Sequence, residues 1–185
     1  GVTLDSVRVR EKYDEFNGRK VQLQRELDTL AGGINWSSPM QVGNFLYDKL
    51  GFSEDLRWNG EPDRTPTNGR KTDGETIDKL KASSKVQKDF LTVYSSFAPL
   101  KRAVNDLKKF LTCCEENEVP ILHARINQAV TRNHRTSSSG AKYKVQLQNT
   151  DRDFKRLFKA RRNGWLIGEA DAPQLEWRCA THLTG

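Results

Sequence analysis

Apolar side chains at Leu4, Val7, Tyr13, Phe16, Leu23, Leu27 and Leu30 recur mostly at helical spacings among Arg, Lys, Glu and Gln. They predict one long amphipathic helix after a short lead-in. Ala31-Gly32-Gly33 marks its end, and Ser37-Ser38-Pro39 announces a second helix with a hydroxyl cap and a proline in the first turn. Phe45, Leu46, Lys49 and Leu50 follow, and Gly51 stops it. Across residues 55–70 turn formers dominate and periodicity fades, so an exposed loop is expected. Thr72 and Glu75 have the spacing of a capping box ahead of Ile77 and Leu80. Then Val86, Phe90, Tyr94, Phe97, Leu100, Val104, Leu107 and Leu111 sustain a three-and-four spacing, with Lys88, Lys101, Arg102, Lys108 and Lys109 largely off that stripe. Its aromatic residues are expected in a core, and Pro99 is expected to kink or divide the element.

After Glu115 the pattern changes. Residues 119–126 and 143–148 are short β-leaning runs joined by Thr-Arg-Asn-His-Arg-Thr-Ser-Ser-Ser-Gly-Ala-Lys. A last helical stretch begins after Thr150, and Asn163-Gly164 turns the chain into a predicted strand over 165–171. A helix with Leu175, Cys179 and Leu183 on one side follows. The expected fold class is α+β, with a largely helical part over 1–117 and an antiparallel-sheet part over 118–185. No internal repeat appears at the usual periods.

Composition narrows the class. With 35% hydrophobic and 30% charged residues over 185 positions, the chain can bury a core yet reads as water-soluble. No window approaches the roughly 20 apolar residues that span a bilayer, and residues 1–10 lack the regions of a secretory signal, so no membrane partner and a cytoplasmic location are expected. Thirty-one Lys and Arg against twenty-four Asp and Glu leave a net +7, which favours a polyanionic partner. Arg152, Lys155, Arg156, Lys159, Arg161 and Arg162 crowd one segment, either as a nucleic-acid contact or as a solvated helix face. Cys113, Cys114 and Cys179 form neither a disulfide framework nor a zinc spacing, and His123 completes no metal site with them.

Asp171 ends the last predicted strand, just before a helix whose first turn holds Gln174 and Glu176. A carboxylate there can hold magnesium, because hard cations take oxygen ligands, or it can simply cap the helix. Both readings are open on these residues alone.

The run Glu169-Ala-Asp-Ala-Pro-Gln-Leu-Glu-Trp-Arg-Cys-Ala-Thr-His-Leu183 resembles the first palm motif of family A DNA polymerases, Asp-x-x-x-x-Glu-x-Arg with His-Leu soon after. Upstream, His123, Asn127-Gln-Ala-Val-Thr131, Arg135 and Ser137-Ser138 resemble the family's stretch ending in Thr-Gly-Arg-Leu-Ser-Ser, and Leu147-Gln148-Asn149 matches the Leu-Gln-Asn beyond it. Gly1-Val-Thr-Leu-Asp5 looks like the handover into the thumb, and Asn35-Trp-Ser-Ser-Pro-Met-Gln41 with Leu50-Gly51 resembles the next thumb helix. Five motifs in one order cover essentially the whole chain. His134, Thr136 and Pro173 depart from the family pattern, and Phe-Lys-Arg-Leu-Phe-Lys-Ala-Arg-Arg leans towards phage-type members.

The resemblance implies a thumb over 1–117 and the first strands and catalytic-motif helix of a palm over 118–185. It implies that Asp171 and the Ala172 carbonyl hold magnesium, two ions serving the complete polymerase, and that Glu176 crowds the sugar 2′ position. Arg135 would reach the minor groove near the primer terminus, Gln148 and Asn149 would lie by the same duplex end, and Arg178 would support the site. The implied partners are primer-template DNA, deoxynucleoside triphosphates, and the remaining palm and fingers, in a bacterial or phage-infected cytoplasm. The chain starts inside a motif and lacks the fingers helix and second catalytic aspartate, so it is expected to be an excised piece, inactive alone. The rival readings are a non-catalytic basic nucleic-acid module, which leaves the Asp171 to Arg178 spacing an accident, and a structural polymerase subunit, against which the intact Asp171 and Glu176 argue.

Overall fold

A computed structural model describes residues 1–54, 64–128, 136–140, 142–147, 150–162, 164–168, 178 and 181–182. The lead-in is a strand, β1 (Val2–Leu4), and Asp5 caps the helix after it by accepting from the Arg8 amide at 3.2 Å. That helix, α1 (Ser6–Ala31), ends at Gly32, whose φ of 72° lets its N–H reach the Asp28 carbonyl. α2 (Pro39–Asn44) starts on the Ser38 hydroxyl and runs into a π-helical turn, Phe45–Lys49. α3 (Gly74–Lys79) and the 32-residue α4 (Lys85–Glu116) complete the helical part. β2 (Ile121–Leu122), β3 (Ala124–Asn127), β4 (Ser137–Gly140), α5 (Arg152–Lys155) and β5 (Phe158–Lys159) follow. The expected α+β class is what is seen. None of the described helices is long and apolar enough to cross a membrane.

α1 and α4 pack along one another and carry a hydrophobic cluster at each end. The upper one gathers Leu27, Phe45, Leu46, Ile77, Phe90 and Phe97 around Trp36. The Trp36 ring centroid lies 5.9–6.2 Å from those of Phe45, Phe90, Tyr94 and Phe97. Its Nε1 donates to Asp28 Oδ1 at 2.7 Å, and its carbonyl accepts from Lys101 Nζ at 2.5 Å. The same burial pushes the Lys101 ammonium below its ordinary pKa, with Lys20 adding to the effect. The lower cluster joins Leu4 and Val9 to Leu107, Phe110 and Cys113, and to Leu122, Val145, Phe154 and Leu157. β1 is the centre of the sheet beneath it, antiparallel to β2 through Val2↔Leu122 and to β5 through Leu4↔Phe158.

Several local expectations shift. Val7 is 67% exposed and Leu30 is also exposed; the buried stripe of α1 runs through Val9, Leu27 and Ala31. Asp73, not Thr72, caps α3, its carboxylate accepting from the Thr76 amide at 2.8 Å. Pro99 does not divide α4, because the packed stripe on both sides holds the helix through the one missing hydrogen bond. At the start of α4, Val86 is exposed and Gln87 is buried instead. Gln87 forms a true capping box with Ser84, while its Nε2 donates to the Leu50 carbonyl at 2.7 Å. Leu111 is only partly buried, and Phe110 and Cys113 fill the core there.

The strand expectations change most. The run 119–126 is two strands in different sheets, with His123 between them. The run 143–148 forms no strand over its described residues: Lys144 has a φ of 53°, outside extended backbone, and Val145 and Leu147 turn into the lower core. The partner of β3 is instead the serine-rich β4. Residues 165–168 are exposed and unpaired, since β1 already has a neighbour on each edge; 169–171, Leu175, Cys179 and Leu183 lie outside the described residues.

The described part of the expected loop is a turn closed by an Arg64↔Arg70 bridge. Arg70 holds it to the helices: its guanidinium donates twice to Asp48 at 2.6 Å and once to Asn44 at 3.0 Å, and pairs with Glu54 at 3.1 Å. Arg64 pairs with the same Glu54. A side chain at Gly43 would put its Cβ 3.2 Å from Arg70 Cβ, a tight contact that Arg70 would have to relieve by a few tenths of an ångström. Residues 55–63 lie outside the described residues.

Two outcomes are expected from this packing. Trp36→Ala empties the centre of the upper cluster and should cost about 3–5 kcal/mol in denaturant unfolding; a loss below about 1 kcal/mol would contradict the packing. The Arg70 hydrogen bonds hold the Asp48 carboxyl below its ordinary pKa of 3.8. A depressed folded pKa gives stability that is present above the unfolded pKa and is lost as pH falls through the folded one. The protection of amides 64–71, with the intrinsic exchange rate divided out, should therefore fall below about pH 4, and Arg70→Ala should remove that pH dependence while lowering protection at neutral pH.

Candidate nucleic-acid interface

Of the residues singled out in the sequence, Arg135, Gln148, Asn149, Asp171, Ala172 and Glu176 lie outside the described residues. Arg178 is described: it is helical and exposed, and its carbonyl accepts from Thr181 Oγ1 at 3.0 Å. What the fold positions are the segments around them.

The first is the ribbon of β3 and β4, with Arg125 opposite Ser139 and Asn127 opposite Ser137. Strand alternation puts these four on one face, where Asn127 Nδ2 donates to Ser139 Oγ at 3.4 Å and Arg125 is exposed. The other face carries Ala124, Ile126 and Ser138, whose hydroxyl is buried without a partner. The polar face can meet phosphate or sugar, and it lacks the side-chain set that reads base edges in a major groove.

The second is the basic segment. α5 is only four residues long, so the six cations do not share one helix face as a solvated-helix reading requires. They are spread over α5, β5 and the bend at 161–162. Phe154 and Leu157 anchor the backbone in the lower cluster, while Arg152, Arg156 and Lys159 point outward. Arg152, Lys155, Arg156 and Lys159 line an open groove of about 930 Å³ together with Trp165, Leu166 and Ile167. The Arg162 guanidinium sits 4.9 Å from the Trp165 ring centroid, and Arg161 Nη2 donates to the Gly1 carbonyl at 3.4 Å. The groove combines positive charge with exposed apolar and aromatic surface.

Thiol or imidazole chemistry has little support here. Among the described residues no three His, Cys, Asp or Glu side chains gather to hold a metal. Cys113 and Cys114 are free, and burial pushes both thiols above their ordinary pKa, which keeps them poor nucleophiles. Sequence reasoning missed a polar network at the end of α4, made of Glu116, Asn117, Lys142 and Tyr143. Its members are distant in sequence and follow no period, so no local signal announces it.

Comparison with known proteins places this arrangement. The sequence pattern described as DNA polymerase family A matches residues 7–185. The chain is 31% identical over 157 residues to DNA polymerase I of Synechocystis sp. (strain ATCC 27184 / PCC 6803 / Kazusa), covering 82% of this chain and 14% of that protein. It is 25% identical over 188 residues to DNA polymerase I of Bacillus subtilis (strain 168), covering 100% and 20%. It is 29% identical over 192 residues to the thermostable DNA polymerase I of Thermus aquaticus, covering 100% and 21%. Its fold is similar to a solved structure titled "POL domain of Pol1 from M. smegmatis complex with DNA primer-template and dNTP". That likeness has a TM-score of 0.67 at 21% identity and covers 100% of this chain and 31% of that one. The chain belongs to DNA polymerase family A. It spans about a seventh to a fifth of the length of these curated relatives.

Proposed function

We propose that these residues are the thumb (1–117) and the start of the palm (118–185) of a DNA-directed DNA polymerase, which binds primer-template DNA and contributes Asp171 to nucleotidyl transfer. The observation that carries this reading is the unbroken family match over residues 7–185, which takes in the ordered run from Arg135 to Arg178. The outward cations of α5 and β5 supply the electrostatic attraction that duplex binding needs.

The donors fit the metal such an enzyme uses. The Asp171 carboxylate and the Ala172 carbonyl are hard oxygen ligands, which suit magnesium rather than zinc. Asp171 and Ala172 would hold magnesium there, two ions serving the complete enzyme, which would supply Lewis acidity for phosphoryl transfer. This chain's residues bind and orient around it. Glu176 fills the space beside the sugar 2′ carbon, so a ribonucleotide hydroxyl is poorly accommodated. Arg135 donates to the minor-groove acceptors shared by correct pairs, which checks geometry without reading sequence. Gln148 and Asn149 lie by the same duplex end, and Arg178 supports the motif helix. Deoxynucleoside triphosphates, the remaining palm and fingers, and a cytoplasmic setting complete the proposal.

Two measurements test it. The 185-residue polypeptide should bind primer-template duplex without sequence preference, with log affinity falling against log salt at a slope of about −3 to −4, as expected for the four groove cations. Replacing Arg152, Arg156 and Lys159 together with Gln should flatten that slope by about 2–3; an unchanged slope would move the interface elsewhere. That polypeptide should extend no primer, since Asp171 is its single proposed metal-binding carboxylate and an in-line displacement requires converging ligands.

In the complete polymerase, Asp171→Asn should leave duplex affinity nearly intact and cut turnover by about 10²-fold or more, because the lost ligand acts where charge develops. Glu176→Ala should raise ribonucleotide over deoxyribonucleotide incorporation even if the overall rate falls. Single-turnover incorporation separates the two. Near-normal turnover in the first variant, or unchanged sugar discrimination in the second, would remove the corresponding role.

A further inference from the structure

The network at the end of α4 is closed. Asn117 caps the helix, its Nδ2 donating to the Cys113 carbonyl at 2.7 Å and also to the Tyr143 hydroxyl at 2.7 Å. Tyr143 then gives its own proton to Glu116 Oε2 at 2.9 Å, and Lys142 Nζ pairs with that oxygen at 2.7 Å. Each amide hydrogen of Asn117 has a taker, and the phenol both donates and accepts, so removing the phenol hydroxyl leaves Asn117 and Glu116 each short of a partner.

The two halves are not equal. Lys142 and Glu116 are 68% and 44% exposed, and a pair so open to water contributes little. The Asn117–Tyr143 hydrogen bond is partly buried and fixes a direction. It holds a segment that needs holding, since the described residues 142–147 form no strand or α-helix and Lys144 has a φ of 53°. Val145 and Leu147 then enter the lower cluster. Beyond position 149, Thr150 donates from its amide to the Leu147 carbonyl at 3.4 Å and from its hydroxyl to the Gln146 carbonyl at 3.2 Å. Anchors therefore stand on both sides of positions 148 and 149.

We infer that Tyr143, held between Asn117 and Glu116, is a positioning residue for primer-terminus recognition, tying the segment that leads into Gln148 and Asn149 to the end of the long thumb helix. The inference rests on the role proposed above for Gln148 and Asn149. It makes no claim that Tyr143 touches DNA.

The test is extension of matched and singly mismatched primer termini by the complete polymerase. Tyr143→Phe keeps the ring and loses both hydroxyl bonds. The ratio of kcat/KM for matched over mismatched termini should fall roughly three- to tenfold, the worth of the partly buried Asn117 bond, the more exposed Glu116 bond adding less, with the nucleotide KM unchanged. Glu116→Gln keeps an acceptor for the phenol and should retain discrimination, whereas Glu116→Ala should not. Lys142→Gln should leave the ratio alone. Wild-type discrimination in Tyr143→Phe overturns the inference, as does equal behaviour of Glu116→Gln and Glu116→Ala. The latter comparison decides the matter if Tyr143→Phe proves too unstable to assay. Gln148→Ala and Asn149→Ala tell the two ideas apart. If they lower discrimination and Tyr143→Phe does not, only this inference fails. If neither lowers it, the role given to Gln148 and Asn149 fails, and the inference falls with it.

Discussion

The three-stranded sheet hangs on one end of a single helix pair. α1 and α4 are long enough to carry a separate cluster at each end, and the lower cluster is where the sheet attaches. Leu4, immediately before α1, is fully buried there against Leu107 and Phe110 of α4, so pairing the helices also fixes β1. β1 then templates β2, which leaves α4 directly, and β5, which arrives 36 residues later, as Leu122 and Phe158 in the register show. A two-residue strand has no independent stability, and both flanking strands have that length. Their geometry is inherited from the helices.

This dependence explains what the sequence reveals and what it conceals. α1 and α4 are legible because a period of 3.6 sustained over 26 and 32 residues outweighs local exceptions such as Val7, Val86 and Pro99. Ser38-Pro39 and Gly32 are legible because caps act within four residues. β4 is not: Ser137–Gly140 has no strand propensity and forms because β3 offers it a register. In the β-leaning run expected over 143–148, the described side chains of Tyr143, Val145 and Leu147 go the other way, taken as plugs and polar anchors for the lower core. Of the site, only its order along the chain is legible. Asp171 read alone fits a helix cap as well as a metal ligand, and neither periodicity nor composition separates the two.

Net charge is a poor guide to where a polyanion would sit, because many cations here are already engaged. Arg70 is consumed by Asp48, Glu54 and Asn44, Lys101 by the Trp36 carbonyl, and Lys142 by Glu116. Arg10, Lys12, Lys79 and Lys109 face carboxylates of their own helix or its neighbour. Arg152, Arg156, Lys159 and Arg162 are all exposed, and the four lie within eleven positions. Their backbone is also fixed. Phe154, Leu157 and Phe158, interleaved with them, pack in or against the lower cluster, so the backbone that carries the charges is held before any ligand arrives. A charge on a fixed backbone loses less freedom on meeting a phosphate than one on a loose loop, and it meets it in a set direction. The alternation Phe-Lys-Arg-Leu-Phe-Lys therefore serves two ends at once: its apolar positions tie the segment to the helix pair, and its cations face the groove beside Trp165 because those positions are already spent.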